Sequence, residues 1–326
     1  MLARKMALDL EGMEVGTTPM LVPSFSSRAN IDVRKTIEGT NGLIRGPILV
    51  SAYDVKYVKP RFPALKFPSL IFLDSGGYEC AKDEEFSSTG LYKPQSCEWN
   101  RDIHRETVSN WPRHPPTIVV SYDHPLERER IENQIKSANS LFRRMNGILR
   151  ELLIKPQSKK SVRVDVKAVM NNINKLCRFD VIGFTEKELG SSVLERMTAI
   201  AKIRLATEEI HMQVPIHIFG SLDPVTTPLY YMSGADIFDG LSWVRFIFNS
   251  GDAYYMDSYG PRIEGIHMTQ RQILTTALTK NHNYLLKLEK NLAKFQSTNN
   301  FQILGPYADF FEESYDDLED KLGRVI

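Results

Sequence analysis

The stretch Leu70-Ile71-Phe72-Leu73-Asp74-Ser75-Gly76-Gly77 joins four apolar residues to an aspartate, a serine and two glycines. A run this short, apolar and bounded by glycines reads as a strand of a parallel sheet. Its carboxylate stands where the strand ends, and in an α/β barrel the C-terminal strand ends form the catalytic mouth. The two glycines would let backbone N–H groups approach a planar ligand with no Cβ in the way.

The same pattern recurs on either side. Short β-rich runs at 47–51, 117–122, 162–166, 181–184, 216–219 and 237–238 alternate with helix-compatible stretches, the rhythm of a parallel α/β sheet. Helical periodicity is clearest over 128–153, 193–209 and 269–295. The first of these has Glu and Arg alternating on one face, which suits either a solvated surface or RNA contact. Two further strands lead into carboxylates: Val119-Val120-Ser121-Tyr122 into Asp123, and Ala235-Asp236-Ile237-Phe238 into Asp239 and Gly240. A lone aspartate at such a place is more often a helix cap or turn residue than a catalyst, but three on one rim make a site.

With 326 residues, 42% of them hydrophobic, the chain can fill one large barrel or two ordinary domains. The polar stretch 155–161 reads as a loop inside a barrel, and no domain boundary is placed there. Lys plus Arg number 41 against 40 Asp plus Glu, a net charge of +1, so a nucleic-acid partner would need a local basic patch. Cys80, Cys97 and Cys177 lie too far apart for a disulfide framework or a Cys-x-x-Cys knuckle and suit a reducing cytoplasm. No run reaches the roughly 20 apolar residues of a membrane span, and the opening residues lack the pattern of a signal peptide. A cytoplasmic protein without membrane contact is expected. The acidic, aromatic stretch 299–326 suits a terminal helix that packs on the barrel or docks a partner.

The order of these motifs resembles the tRNA-guanine transglycosylase family over about residues 14–295. Gly16-Thr17-Thr18-Pro19-Met20-Leu21-Val22-Pro23 is similar to that family's opening Thr-Pro-x-x-x-Pro strand, Asp74-Ser75-Gly76-Gly77 to its Asp-Ser-Gly-Gly, and Gly234-Ala235-Asp236-Ile237-Phe238-Asp239 to its Gly-x-Asp-x-Phe-Asp. The resemblance implies a TIM-type (β/α)₈ barrel, one domain over 1–326, with 250–326 as a helical extension. It also implies roles. Asp239 matches the nucleophile that attacks the sugar C1′, and Asp74 matches the general acid/base. Asp123 matches the acceptor for a guanine-type N1–H and amine, a donor pair that an ionised carboxylate can meet with both oxygens. Ser75, Gly76, Gly77, Gly183 and Phe184 fall in the base pocket. The segment Gly183-Phe184-Thr185-Glu186-Lys187-Glu188-Leu189-Gly190 takes the place of a glycine-rich loop against the 7-position of a 7-deazaguanine. Its Thr-Glu-Lys-Glu equally suits a helix N-terminus.

The chain also departs from the family. The usual structural zinc needs Cys-x-Cys-x-x-Cys and a distant His, whereas no cysteine follows Cys177, and His267 and His282 cannot make a tetrahedral site alone. No metal and no cofactor is therefore expected, and the C-terminal helical subdomain should stand on ordinary packing. Ser51 replaces an asparagine near the nucleophile. Trp243, in a segment that replaces Cys-x-x-Pro, suits a core position or a base-stacking one. These departures put tRNA in doubt and fit two other branches: a DNA 7-deazaguanine transglycosylase, or the transglycosylase-like protein of type IV CBASS antiphage operons. The expected partners are a 7-deazaguanine-type base on DNA, RNA or a base-modified protein, with a homodimer left open. Three functions compete: base exchange through Asp239, 7-deazaguanine binding without turnover, and ordinary glycoside hydrolysis, which Asp-Ser-Gly-Gly and Asp123 count against.

Overall fold

The computed structural model describes residues 1–29, 31–58, 62–80 and 97–323. An antiparallel hairpin comes first, β1 (Ala7–Leu10) and β2 (Met13–Thr17). Eight parallel strands then close a barrel: β3 (Met20–Phe25), β4 (Ile48–Ser51), β5 (Ile71–Asp74), β6 (Thr117–Val120), β7 (Leu149–Ile154), β8 (Val181–Thr185), β9 (Ile216–Phe219) and β10 (Ile237–Gly240). Pairing of β10 with β3 seals it, Ile237 opposite Met20 and Gly240 opposite Pro23. With helices between the strands, this is the TIM-type (β/α)₈ fold.

Successive side chains in a strand face opposite sides of the sheet. Val22, Leu49, Phe72, Ile118, Leu149 and Ile237 point inward and pack together, and Leu8 of the hairpin joins them. Leu73, Val119, Leu152, Ile182 and Phe238 point outward into the core shared with the helices. Two residues further toward the C-terminal end, the inward positions turn polar: Ser24, Ser51, Asp74, Glu151 and Asp239, all buried. A small barrel is a packed interior rather than a pore, so a polar layer there has to satisfy itself or serve a ligand.

Two expectations about elements are corrected. Residues 128–153 are not one helix: the helix is Ile131–Phe142, the chain turns through Gly147 at φ +65°, and β7 follows. Leu149-Arg150-Glu151-Leu152-Leu153-Ile154 has helix-favouring composition, but pairing with β6 and β8 on both edges overrides local preference. Residues 162–166 form no strand. Val162 is 82% exposed, and Asp165 caps a helix beginning at Val166. The other runs fall on strands, and helix Val193–Glu209 has the bounds expected.

Beyond β10 come the short helix Ser242–Arg245, the hairpin β11 (Phe246–Asn249) and β12 (Asp252–Tyr255), and helices Met256–Glu264, Gln270–Thr298 and Ala308–Leu322. Thr269 and Gln272 cap the long helix reciprocally. Asn281 on that helix is fully buried. Its amide donates to the carbonyls of Trp243 and Phe246, both at 2.7 Å, and its oxygen accepts from the Phe248 N–H at 2.8 Å. An amide so fully satisfied can sit in a core, and it clasps the extension to the end of the barrel. Trp243 takes the core role: it is wholly buried, donates to the Ser24 carbonyl at 2.9 Å, and meets Phe25 edge-on. Helix Ala308–Leu322 buries Phe311, Tyr315 and Leu318 and lies against helices Val193–Glu209 and Thr226–Met232. It is the expected packed terminal helix, although residues 324–326 of that stretch lie outside the described residues. No helix among the described residues is long and apolar enough to cross a membrane.

At the opposite end from the polar layer, Arg204 of helix Val193–Glu209 pairs with Asp236, both fully buried. The guanidinium also donates to the carbonyls of Gly234 at 2.9 Å and Val214 at 3.1 Å, while Asp236 accepts the first amide of β9, Ile216 N–H, at 2.7 Å. This knot ties a helix to the starts of β9 and β10.

Candidate active site

Alternation along β10 turns Asp239 inward, two residues beyond the core residue Ile237. Two donors and one ion-pair contact meet its carboxylate. Ser24 Oγ lies 2.7 Å from Oδ2, the Gly220 N–H lies 3.1 Å from Oδ1, and His217 Nε2 stands 3.3 Å from Oδ1, an ion-pair contact off the line of a regular hydrogen bond. Behind His217, Nδ1 is 2.7 Å from Glu151 Oε1. Burial alone would strip the imidazole of its proton; the charges of Glu151 and Asp239 outweigh that and push its pKa up to about 9.

Asp74 points inward from the end of β5, with β4 and β3 between it and Asp239. Burial raises its pKa to about 8, helped by the negative charges of Glu79 and Asp239. Glu79 lies in the short helix after the two glycines and accepts from Ser26 at 2.5 Å and Ser51 at 2.7 Å. Ser51, read as standing near the nucleophile, thus serves Glu79, and the hydroxyl on Asp239 is that of Ser24. Burial pushes Glu79 up to about 7, with Asp54 adding to it, and Asp54 up to about 6 against the pull of Ser27. Carboxyls crowded out of water in this way keep their protons into the neutral range, the condition for a general acid.

Asp123 follows β6 by three residues and occupies one corner of a ring of alternating charge. Arg128 lies 3.1 Å from its Oδ1 and Lys155 lies 3.5 Å from its Oδ2; Glu188 closes the ring at 2.8 Å from Lys155 and 3.7 Å from Arg128. Gly77 makes this possible, since a Cβ there would stand 2.7 Å from Asp123 Oδ2. The turn's amides are directed inward on itself: Gly76 N–H to Asp74 at 3.4 Å and Gly77 N–H to Ser75 Oγ at 3.3 Å. Gly77 therefore clears space for the Asp123 carboxylate, a different service from the amide approach expected of it. Ser75 is buried, its carbonyl taking the Trp99 indole N–H at 3.0 Å.

Gly183 faces the barrel interior, where a Cβ would meet Phe219 at 2.6 Å and Glu151 at 2.7 Å. It thus makes room for those two side chains. Phe184, expected in the pocket, lies on the other face of β8, wholly buried in the core shared with the helices, where it cannot touch a ligand in the mouth. After β8 the helix reading is met by a single 3-10 turn, Glu186–Glu188, with Thr185 at its N-cap and both Glu residues in it. Thr185 makes no cap bond and instead accepts from Lys155 at 2.8 Å, Glu188 belongs to the charge ring, and Glu186 pairs with Arg196 and Tyr230, each at 2.7 Å.

Glu151 and His217 escaped sequence reading. The first lay inside a stretch of helical composition. The second sits in Ile216-His217-Ile218-Phe219, where one polar residue at an inward position of an apolar strand was the available signal. A cavity of about 150 Å³ opens beside Asp123 and Lys155, lined also by Ser121, Tyr122, Arg101 and His104. It flanks β6 and β7 and does not reach Asp74 or Asp239, so the chemistry is located by the carboxyls and not by this hollow. Among the described residues, no group of three or more His, Cys, Asp or Glu side chains could hold a metal ion. Compared with known proteins, the chain matches no protein-family model and no curated protein.

Proposed function

We propose that this protein exchanges a guanine-type base, guanine or a 7-deazaguanine, on a macromolecule other than ordinary tRNA, by double displacement through Asp239. The observation that supports it is the meeting, in one buried layer, of a proton-retaining carboxyl and a carboxylate ringed by donors: Asp74 and Asp239. An oxygen of Asp239 bonds to the sugar C1′ as the bond from C1′ to the base nitrogen breaks; the electron pair leaves with the base, and Asp74 supplies its proton. An incoming base returns a proton to Asp74, attacks C1′ and displaces Asp239. Asp123 accepts the N1–H and amine of the base, for which Arg128 and Lys155 must shift within their ring.

The near-zero net charge favours a second form of the same recognition, in which the base is carried by a protein and held without turnover. The nucleotidyltransferase of a type IV CBASS operon is the kind of partner this implies, and an antiphage role would follow. A DNA-guanine transglycosylase is the corresponding nucleic-acid form.

Calorimetric titration with guanine and with 7-cyano-, 7-amido- and 7-aminomethyl-7-deazaguanine tests the shared premise. At least one should bind, and Asp123→Asn should weaken it by about 1–3 kcal/mol, the cost of a charged hydrogen bond. No binding by any of them at millimolar concentration overturns both forms.

The acid role carries a pH signature. Asp74 holds its proton below about 8, so departure of the base should be fastest at neutral pH and slow about tenfold per unit as pH rises beyond that value. Asp74→Asn should remove this alkaline limb along with most of the rate, leaving base affinity within a few-fold. A limb that persists in the variant assigns the proton to another group.

A further inference from the structure

The exchange scheme leaves unused a buried charged pair that touches Asp239: Glu151 on β7 and His217 on β9. Neither is exposed at all. Among the described residues Glu151 Oε2 has no partner, and the hydrogen bond that holds the carboxylate in the barrel interior is the one to His217. The imidazole lies between two carboxylates, 2.7 Å from Glu151 through Nδ1 and 3.3 Å from Asp239 through Nε2. A neutral imidazole that donates from Nδ1 would turn the Nε2 lone pair on Asp239, whereas an imidazolium hydrogen-bonds Glu151 and sets an ion-pair contact against Asp239. Phe219 stacks on the ring at 3.9 Å and Phe72 meets its edge at 5.3 Å, fixing its plane.

We infer that Glu151 and His217 are a positioning pair for Asp239, a buried imidazolium anchored from behind that keeps the nucleophile anionic and stabilises it as the leaving group in the second displacement. The inference rests on the exchange reading and assigns it two further residues. The titratable groups facing His217 from the packed strands are Glu151 on β7 and Asp239 on β10. On β5 Asp74 feels the charge of Asp239 while Phe72 faces the ring, and β8 offers only Gly183. No proton moves through the pair. When the C1′–O ester forms, the charge of Asp239 is consumed and the neutral Glu151–His217 pair remains. When the incoming base breaks that ester, Asp239 regains its electron pair beside a positive charge already in place, as preorganised electrostatics requires.

Nitrogen-15 NMR of histidine-labelled protein, with the His217 signals assigned by their loss in His217→Gln, tests the charge state without any turnover. Both ring nitrogens should stay protonated from about pH 6 to about pH 8, whereas a neutral tautomer at pH 7 overturns the inference. In exchange assays, His217→Gln should move the acidic limb of the pH profile up by at least a unit, a loss of about tenfold below it, with base affinity within twofold. Glu151→Gln should act in the opposite sense, because without its anion the imidazolium loses its proton earlier: rates hold near pH 6 and fall as pH rises past neutrality. Profiles unchanged in both variants overturn the inference. Should His217→Gln not fold, Glu151→Gln supplies the profile and the assignment. Should wild-type protein exchange no base on any polymer, the exchange reading fails, and the nitrogen signals still decide the pair's charge.

Discussion

Asp239→Asn should abolish covalent capture of a substrate polymer and lower base exchange by at least about 10⁴-fold, the scale on which removing a nucleophile acts. The substitution is nearly isosteric. With the amide oxygen in the place of Oδ1 it still accepts from the Gly220 N–H, and the amide nitrogen in the place of Oδ2 can donate to Ser24 Oγ, so the barrel should fold and the base should still bind. Only the ability to form the C1′ ester is lost. Wild-type protein incubated with the right nucleic acid and an excess of free base should show a slowly migrating band on a denaturing gel, and the variant should show none. A band that persists in the variant removes Asp239 from the reaction. If tRNA, duplex DNA and single-stranded DNA all fail with wild-type protein while the base still binds, the pocket is a recognition site and its partner should be sought among proteins.

Arg204→Met should destabilise the fold by about 3–5 kcal/mol, the cost of leaving one partner of a buried ion pair alone. Methionine keeps much of the side chain's length, so the loss is that of the charge and of the hydrogen bonds to the Gly234 and Val214 carbonyls. Both partners are wholly shielded, and solvent cannot screen Asp236 once the guanidinium is gone. Arg4 stands 3.5 Å away but makes no hydrogen bond to the carboxylate through that nitrogen. The apparent melting temperature should fall by on the order of 10 °C, with base affinity unchanged in the folded fraction, because the knot lies at the far end of the barrel. A fall in stability below about 1 kcal/mol would show that Arg4 has moved in to replace the missing charge.

Where the apolar runs were short and bounded by polar or glycine residues, as at β5 and β10, the sequence carried both the strand and the direction of its carboxylate, because a period of two leaves no freedom once one residue is buried. Asp74 and Asp239 were legible for that reason. The β7 strand was not, since leucine, arginine and glutamate report helix preference and only pairing with two neighbours makes them a strand; the Asn146-Gly147 turn was the sole local clue. Glu151 was hidden with it. Phe184 failed differently: it adjoins Gly183 in sequence, and adjacency in a strand means opposite faces. The charge ring around Asp123 draws on three separate loops, and no spacing in a single chain could have announced it.

The barrel is sealed by its first and last strands, and the bond from Ser24 to Asp239 spans 215 positions. During synthesis Asp74 is therefore made long before Asp239, and the two cannot meet until β10 has left the ribosome and found β3. Under the proposed exchange scheme, a nascent or prematurely ended chain would hold half of the reacting pair and leave any polymer it touches unchanged. The same topology offers an instrument. A chain cut in the loop at 155–161 separates Asp74, Asp123 and Glu151 from His217 and Asp239, so that any activity recovered on mixing the halves would count reassembled barrels.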